Sequence, residues 1–92
     1  MEIEHFDDGR KGHFKAIEND VEAGIMTYVW QDENTFVIEH TVGNPEFKVV
    51  GMKLLHKAVE FARESNKKIV PVCPFAKKMF DLKEELRDVL AK

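Results

Sequence analysis

Residues 35–72 read TFVIEHTVGNPEFKVVGMKLLHKAVEFARESNKKIVPV, and within them the spacing of apolar side chains changes twice. In 35–42 (TFVIEHTV), Phe36, Ile38 and His40 alternate with Val37, Glu39 and Thr41, the period of a strand with two unlike faces. After Gly43-Asn44-Pro45 the period lengthens. Residues 52–65 place Met52, Leu55, Val59 and Ala62 at helical spacing, and Leu54, Ala58 and Phe61 widen the stripe. Lys53, His56, Lys57, Glu60 and Arg63 take the wet side, and Asn66 is the expected C-cap. Lys68 to Val72 is an apolar run too brief for a helix, so it reads as a strand. A helix that joins two strands in this way makes them parallel neighbours linked by a crossover.

Working outward, residues 22–30 (EAGIMTYVW) are rich in β-branched and aromatic types and end at the polar turn Gln31-Asp32-Glu33-Asn34. Residues 13–18 (HFKAIE) form a shorter candidate strand, closed by the turn-prone pair Asn19-Asp20. Short turns between such runs predict an antiparallel meander. On the other side, Pro74 follows the last strand, residues 75–80 read as a short helix, and 83–91 as a final amphipathic turn or two. The expected order is three strands, a helix, a strand, a short helix and a helix. This is an α+β fold: a mixed, mostly antiparallel sheet with packed helices, in one domain over residues 1–92. Trp30, Tyr28 and the phenylalanines are expected in the core. The charged stretch Lys83 to Asp88 reads as a solvated helix face with i,i+4 support.

Composition narrows the function. Ninety-two residues leave no room for a second core. With 43% hydrophobic and 34% charged residues the chain is ordinary for a globular protein. A formal charge of -3 and a pI near 5.8 argue against the basic stripe that nucleic acid requires. No stretch approaches the ~20 apolar residues of a membrane span, and the start MEIEHFDDGRK has no apolar signal core, so the expected location is the cytoplasm. The single cysteine, Cys73, makes no disulfide within the chain, and His5, His13, His40 and His56 show no zinc-ligand spacing.

Two positions draw attention as chemistry. Cys73 ends a strand and precedes Pro74, a residue favoured at the first helical position, which puts Cys73 at a helix N-cap where the dipole and free N–H groups favour a thiolate. The other reading is a small buried hydrophobe, which is what most free cysteines are. His40 shares a strand face with Phe36 and Ile38 and could take a proton near neutral pH, or be a structural histidine at a strand end. Glu39 is the alternative base, acting through a water. His56 reads as solvated, and His5 and His13 receive no role.

Three strings in this order resemble the small stand-alone members of the GNAT superfamily of N-acetyltransferases. They are Ile38-Glu39-His40-Thr41-Val42; Leu54-Leu55 through Ala58-Val59-Glu60-Phe61-Ala62-Arg63-Glu64; and Val70-Pro71-Val72-Cys73-Pro74-Phe75-Ala76-Lys77. The similarity runs from about Phe14 to Leu90. It implies the minimal GNAT-like acyl-CoA N-acyltransferase fold and transfer of acetyl from acetyl-CoA to an amine. It also implies a pyrophosphate held by backbone N–H groups at a helix N-terminus, and a pantetheine arm between strands that splay near Val42 and Cys73. The implied cofactor-binding residues are Thr41, Val42, Lys48, Val49, Val50, Gly51, Met52 and Lys53. Cys73, His40 and Glu39 are the implied catalytic residues, Cys73 as acetyl acceptor or lining. The family's loop pattern, Arg/Gln-x-x-Gly-x-Gly/Ala, is altered. With Lys48 in the Arg/Gln place, Gly51 is the first glycine and Lys53 replaces the second. In the other register Gly51 closes the loop and Val49 stands where an earlier glycine belongs. One glycine remains either way, and a valine forced to positive φ would cost on the order of 1–2 kcal/mol. The alternative reading is therefore a GNAT-like domain without catalysis, serving as a CoA-binding or protein-interaction module.

Overall fold

A computed structural model of the chain describes residues 1–44 and 49–91. Five strands form one sheet in sequence order: β1 (Glu2–Asp7), β2 (Lys11–Glu18), β3 (Val21–Asp32), β4 (Thr35–Gly43) and β5 (Lys68–Pro71). The first four pair antiparallel, and β5 runs parallel to β4, as the crossover predicts. Between β4 and β5 lies helix α1 (Val50–Ser65). It ends where Asn66 turns left-handed (φ 57°) and donates its N–H to the carbonyls of Ala62 and Arg63. Helix α2 (Pro74–Leu82) and a 3-10 helix (Glu84–Val89) complete the chain.

All the helices pack on one face. Leu90 bridges parallel to Ile69 beyond β5, so β5, α2 and Leu90 repeat the β4–α1–β5 crossover in the same direction. Two successive right-handed crossovers that advance the same way leave both helices on the same side of a sheet. Phe14, Ala16, Met26, Tyr28, Phe36, Ile38 and Ile69 from the sheet meet Leu54, Leu55, Val59, Phe80, Leu86 and Val89 in one buried cluster. Each of its large side chains stabilises by roughly 1.5–3 kcal/mol relative to exposure. The alternate strand positions, His13, Lys15, Thr27, Val29, Val37 and Val70, are half-buried and form an opposite face that the described helices leave bare.

Two expectations need correction. Residues 83–91 are not a regular α-helix: Glu84–Val89 is 3-10, so i,i+4 pairs do not form there. Instead Arg63 of α1 donates to both carboxylate oxygens of Asp88, at 2.8 Å each, and Arg87 donates to the carbonyls of Phe80 and Asp81. The second correction is β1, which the periodicity missed because two of its three inward positions, His5 and Asp7, are polar and only Ile3 is apolar. His5 stacks on Phe14 at 4.2 Å between ring centroids and meets Phe61 edge-on at 4.5 Å. Asp7 Oδ2 accepts from Tyr28 Oη at 2.6 Å and Trp30 Nε1 at 2.8 Å, and Asp7 Oδ1 accepts from the Gly9 N–H. The tyrosine's one hydrogen is committed to Asp7, so His5 Nε2, 2.6 Å away, must carry the proton of its bond to that hydroxyl.

This latch gives stability a pH dependence on both sides of neutrality, acid-side through His5 and Asp7 and alkaline-side through Tyr28. Burial lowers His5 below the usual imidazole range, with His13 and Lys57 adding to it and Asp7 opposing. Burial raises Asp7, but the bonds from Tyr28, Gly9 and Trp30 outweigh it and hold the carboxyl low. Tyr28 is pushed well up by burial and by its bond to Asp7. A depressed pKa in the folded state means the native form resists protonation. Stability is therefore full above the unfolded value and falls as pH drops through the folded one. Urea midpoints are expected to hold level between about pH 7 and about 9.5, to decline below about 6.5 as His5 charges and again below about 4, and to decline above about 10, where the unfolded tyrosine ionises and the buried Tyr28 does not. His5→Phe should remove the first descent. Asp7→Asn should shrink the second, which is shared with Asp8, held low chiefly by the Lys11 N–H, and Asp88, held low by Arg63. A level profile down to pH 4 would contradict this reading.

Candidate active site

The β4–β5 ladder runs from Thr35–Lys68 to Ile38–Pro71 and stops there, whereas β4 continues to Gly43. The sequence explains the stop. Pro74 has no N–H and a fixed φ suited to the first helical position, so the chain turns into α2 with Cys73 as N-cap. The Ile38 carbonyl accepts from both Val72 N–H (3.1 Å) and Cys73 N–H (3.0 Å), which closes the narrow end. Beyond it the strands part. Cys73 is buried, 3% exposed, and its thiol donates to Thr41 Oγ1 at 3.3 Å; it makes no side-chain cap to its own helix.

Thr41, not His40, faces Cys73 because of a β-bulge. Tyr28 pairs with Ile38 and Thr27 with His40, so Glu39 is an extra residue on β4. One extra residue reverses the alternation, and every side chain after it changes face. Phe36 and Ile38 point into the core, but His40 does not join them and is exposed. That corrects the face expected for His40. Glu39 turns to the bare face of the sheet, beside Thr27, His13 and Phe6. Val42 is 62% exposed at the open end of the cleft.

The other wall is the start of α1. Of the expected loop residues, Lys48 lies outside those described. Val49 is the N-cap with φ −107° and ψ 10°, and among glycines only Gly9 has positive φ. The anticipated strain at Val49 is therefore absent, because the backbone there is one any residue adopts. Val50 is buried in a notch left by Gly24 and Gly43, which pair directly across β3 and β4. A Cβ on either would lie 3.0 or 2.9 Å from a Val50 methyl. Gly51 matters for space, not for φ: a Cβ there would meet the Phe75 ring of α2 at 3.0 Å. Phe75 was not anticipated as part of the site, and no sequence signal ties it to Gly51. Val49, Met52 and Lys53 line a hollow of about 310 Å³ that extends along α1 to Ile3 and Lys57.

Helix α1 begins with no side-chain cap and no acidic residue in its first turn. First-turn N–H groups have no intrahelical acceptors and favour anions. Together with the parted strands, this start leaves an open, anion-favouring end to the cleft, while Thr41 and Cys73 are in contact with each other between the strands. Among the described residues no group of three or more His, Cys, Asp or Glu could hold a metal ion. No described helix is long and apolar enough to cross a membrane.

Comparison with known proteins bears on this geometry. A comparison with curated proteins finds no match. The NMR solution structure of a GCN5-like protein from Staphylococcus aureus is 36% identical, covers 96% of this chain and 87% of its own, and superposes with a TM-score of 0.71. It has the same small α+β architecture. The model of the GCN5-related N-acetyl-transferase family matches residues 13–89, which takes in most of β2, all of β3 to β5, both α-helices and the cleft. The chain belongs to the GCN5-related N-acetyltransferase (GNAT) family.

Proposed function

We propose that the protein is an acetyl-CoA-dependent N-acetyltransferase acting on an amine. The observation that carries this reading is the ladder that ends at Ile38–Pro71 beside the uncapped start of α1. Acetyl-CoA, when bound, supplies the acetyl group as an activated thioester. The N–H groups of Val50, Gly51 and Met52 would hold its pyrophosphate, with the charges of Lys53 and Lys48 adding to the attraction. Thr41 and Val42 form one wall of the cleft and Cys73 the end of it. Backbone N–H groups where the strands part would stabilise the developing oxyanion. Glu39, directly or through a water, or His40, takes the proton from the attacking amine.

A catalytically inactive CoA-binding or protein-interaction module is the second reading. The single glycine of the loop and the Phe75 ring packed against it favour that view. The test is release of CoA thiol from acetyl-CoA in the presence of a panel of primary amines. Turnover with any of them supports the enzyme, whereas CoA binding with no turnover across the panel selects the module. Cys73→Ser keeps the size and the bond to Thr41: retained turnover identifies a wall, and lost turnover a sulfur acceptor.

A further inference from the structure

The bare face of the sheet carries a second hollow, of about 330 Å³, lined by Phe6, Lys11, His13, Thr27 and Glu39 among others. Its floor is a row across four strands. Phe6 pairs with His13, His13 with Thr27, and Thr27 with His40 beside the bulged Glu39. At about 4.8 Å per strand the row is roughly 14 Å long, and Lys11 sits about 7 Å from His13 along β2. Phe6 is half exposed and stacks on His13 at 5.4 Å and 22°, which gives the row a flat aromatic end. Glu39 and Lys11 form none of the salt bridges found among the described residues.

We infer that this hollow is the acceptor site and that it selects an amine bearing its own anionic group on a flat apolar body. The carboxylate of Glu39 receives the ammonium, the Phe6–His13 pair receives the body, and the Lys11 ammonium receives a carboxylate at the far end. Opposite fixed charges separated by an aromatic surface match a zwitterion better than a simple amine, because each end of the zwitterion then meets a charge of the opposite sign. The placement also suits transfer. Glu39 directly follows Ile38, whose carbonyl closes the cleft on Cys73, so the bulge sets the base on one side of β4 and Thr41 toward the thiol on the other. That last step rests on the acetyltransferase reading; the binding itself does not.

The probe is 4-(aminomethyl)benzoate, titrated without acetyl-CoA and followed by backbone amide shifts, with benzylamine as comparison. The zwitterion should shift the amides of Phe6, His13, Thr27 and Glu39 and bind several-fold more tightly than benzylamine. Glu39→Gln should weaken it at least tenfold, and Lys11→Gln should reduce it to the level of benzylamine while leaving benzylamine unchanged. Both variants sit on the exposed face, and thermal melts verify that they fold. No shift at those amides up to millimolar probe overturns the proposal, as does affinity that survives either substitution. Because acetyl-CoA is absent, failure here is separate from failure of CoA binding.

Discussion

Gly12→Ala is expected to destabilise the protein by about 3 kcal/mol, the upper end of ordinary overpacking. A Cβ at Gly12 would lie 2.3 Å from the Phe6 carbonyl oxygen and 2.5 Å from both Cζ and Oη of Tyr28. Neither neighbour can yield cheaply. The carbonyl belongs to β1, and the Tyr28 ring is fully buried and hydrogen-bonded to Asp7 and His5. A chain of this length has roughly 5–14 kcal/mol of total stability, so the loss is a large part of it. Thermal unfolding should shift down by about 12–24 °C. A shift under 4 °C would mean that the β1 latch is far looser than its hydrogen bonds describe. Gly9→Ala, where nothing lies within 4 Å but φ is +92°, isolates the backbone cost from the steric one.

Glu39→Gln is expected to lower kcat/KM for acetyl transfer by about 10²–10⁴-fold, the usual contribution of a positioned general base. The amide keeps the shape of the side chain but accepts no proton. His40→Gln should cost less, because His40 is exposed whereas Glu39 is half-buried in the hollow lined by Phe6, His13 and Thr27. CoA affinity should change in neither variant, since both residues lie outside the α1 turn. Steady-state kinetics with a competent amine decide it. If His40→Gln is the more damaging substitution, the base assignment reverses.

The parts of this fold that could be read from the sequence are those with a strong period and a local cap. Helix α1 declared itself through Leu54, Leu55, Ala58, Val59 and Ala62, and Asn66 adopts the left-handed cap its type favours. Pro74 fixed the position of Cys73 at the head of α2. The misses share a cause: tertiary contacts that leave no local mark. Strand β1 hides because His5 and Asp7 take two of its three inward positions, leaving only Ile3 apolar there, while Phe6 faces out. The bulge at Glu39 is set by pairing with β3, and it moves His40 and Thr41 to faces that simple alternation assigns the other way. The family's loop pattern asks of a glycine freedom at positive φ, but Gly51 is kept small by the Phe75 ring, 24 residues further along the chain, a separation that no local spacing marks.

The direct test of the account is calorimetric titration with acetyl-CoA and CoA, paired with amide shifts. Saturable heat, with shifts concentrated at Thr41, Val42, Val49 to Lys53 and Cys73, is the predicted result. No heat at high micromolar ligand, or shifts confined to surfaces away from the start of α1, would contradict it.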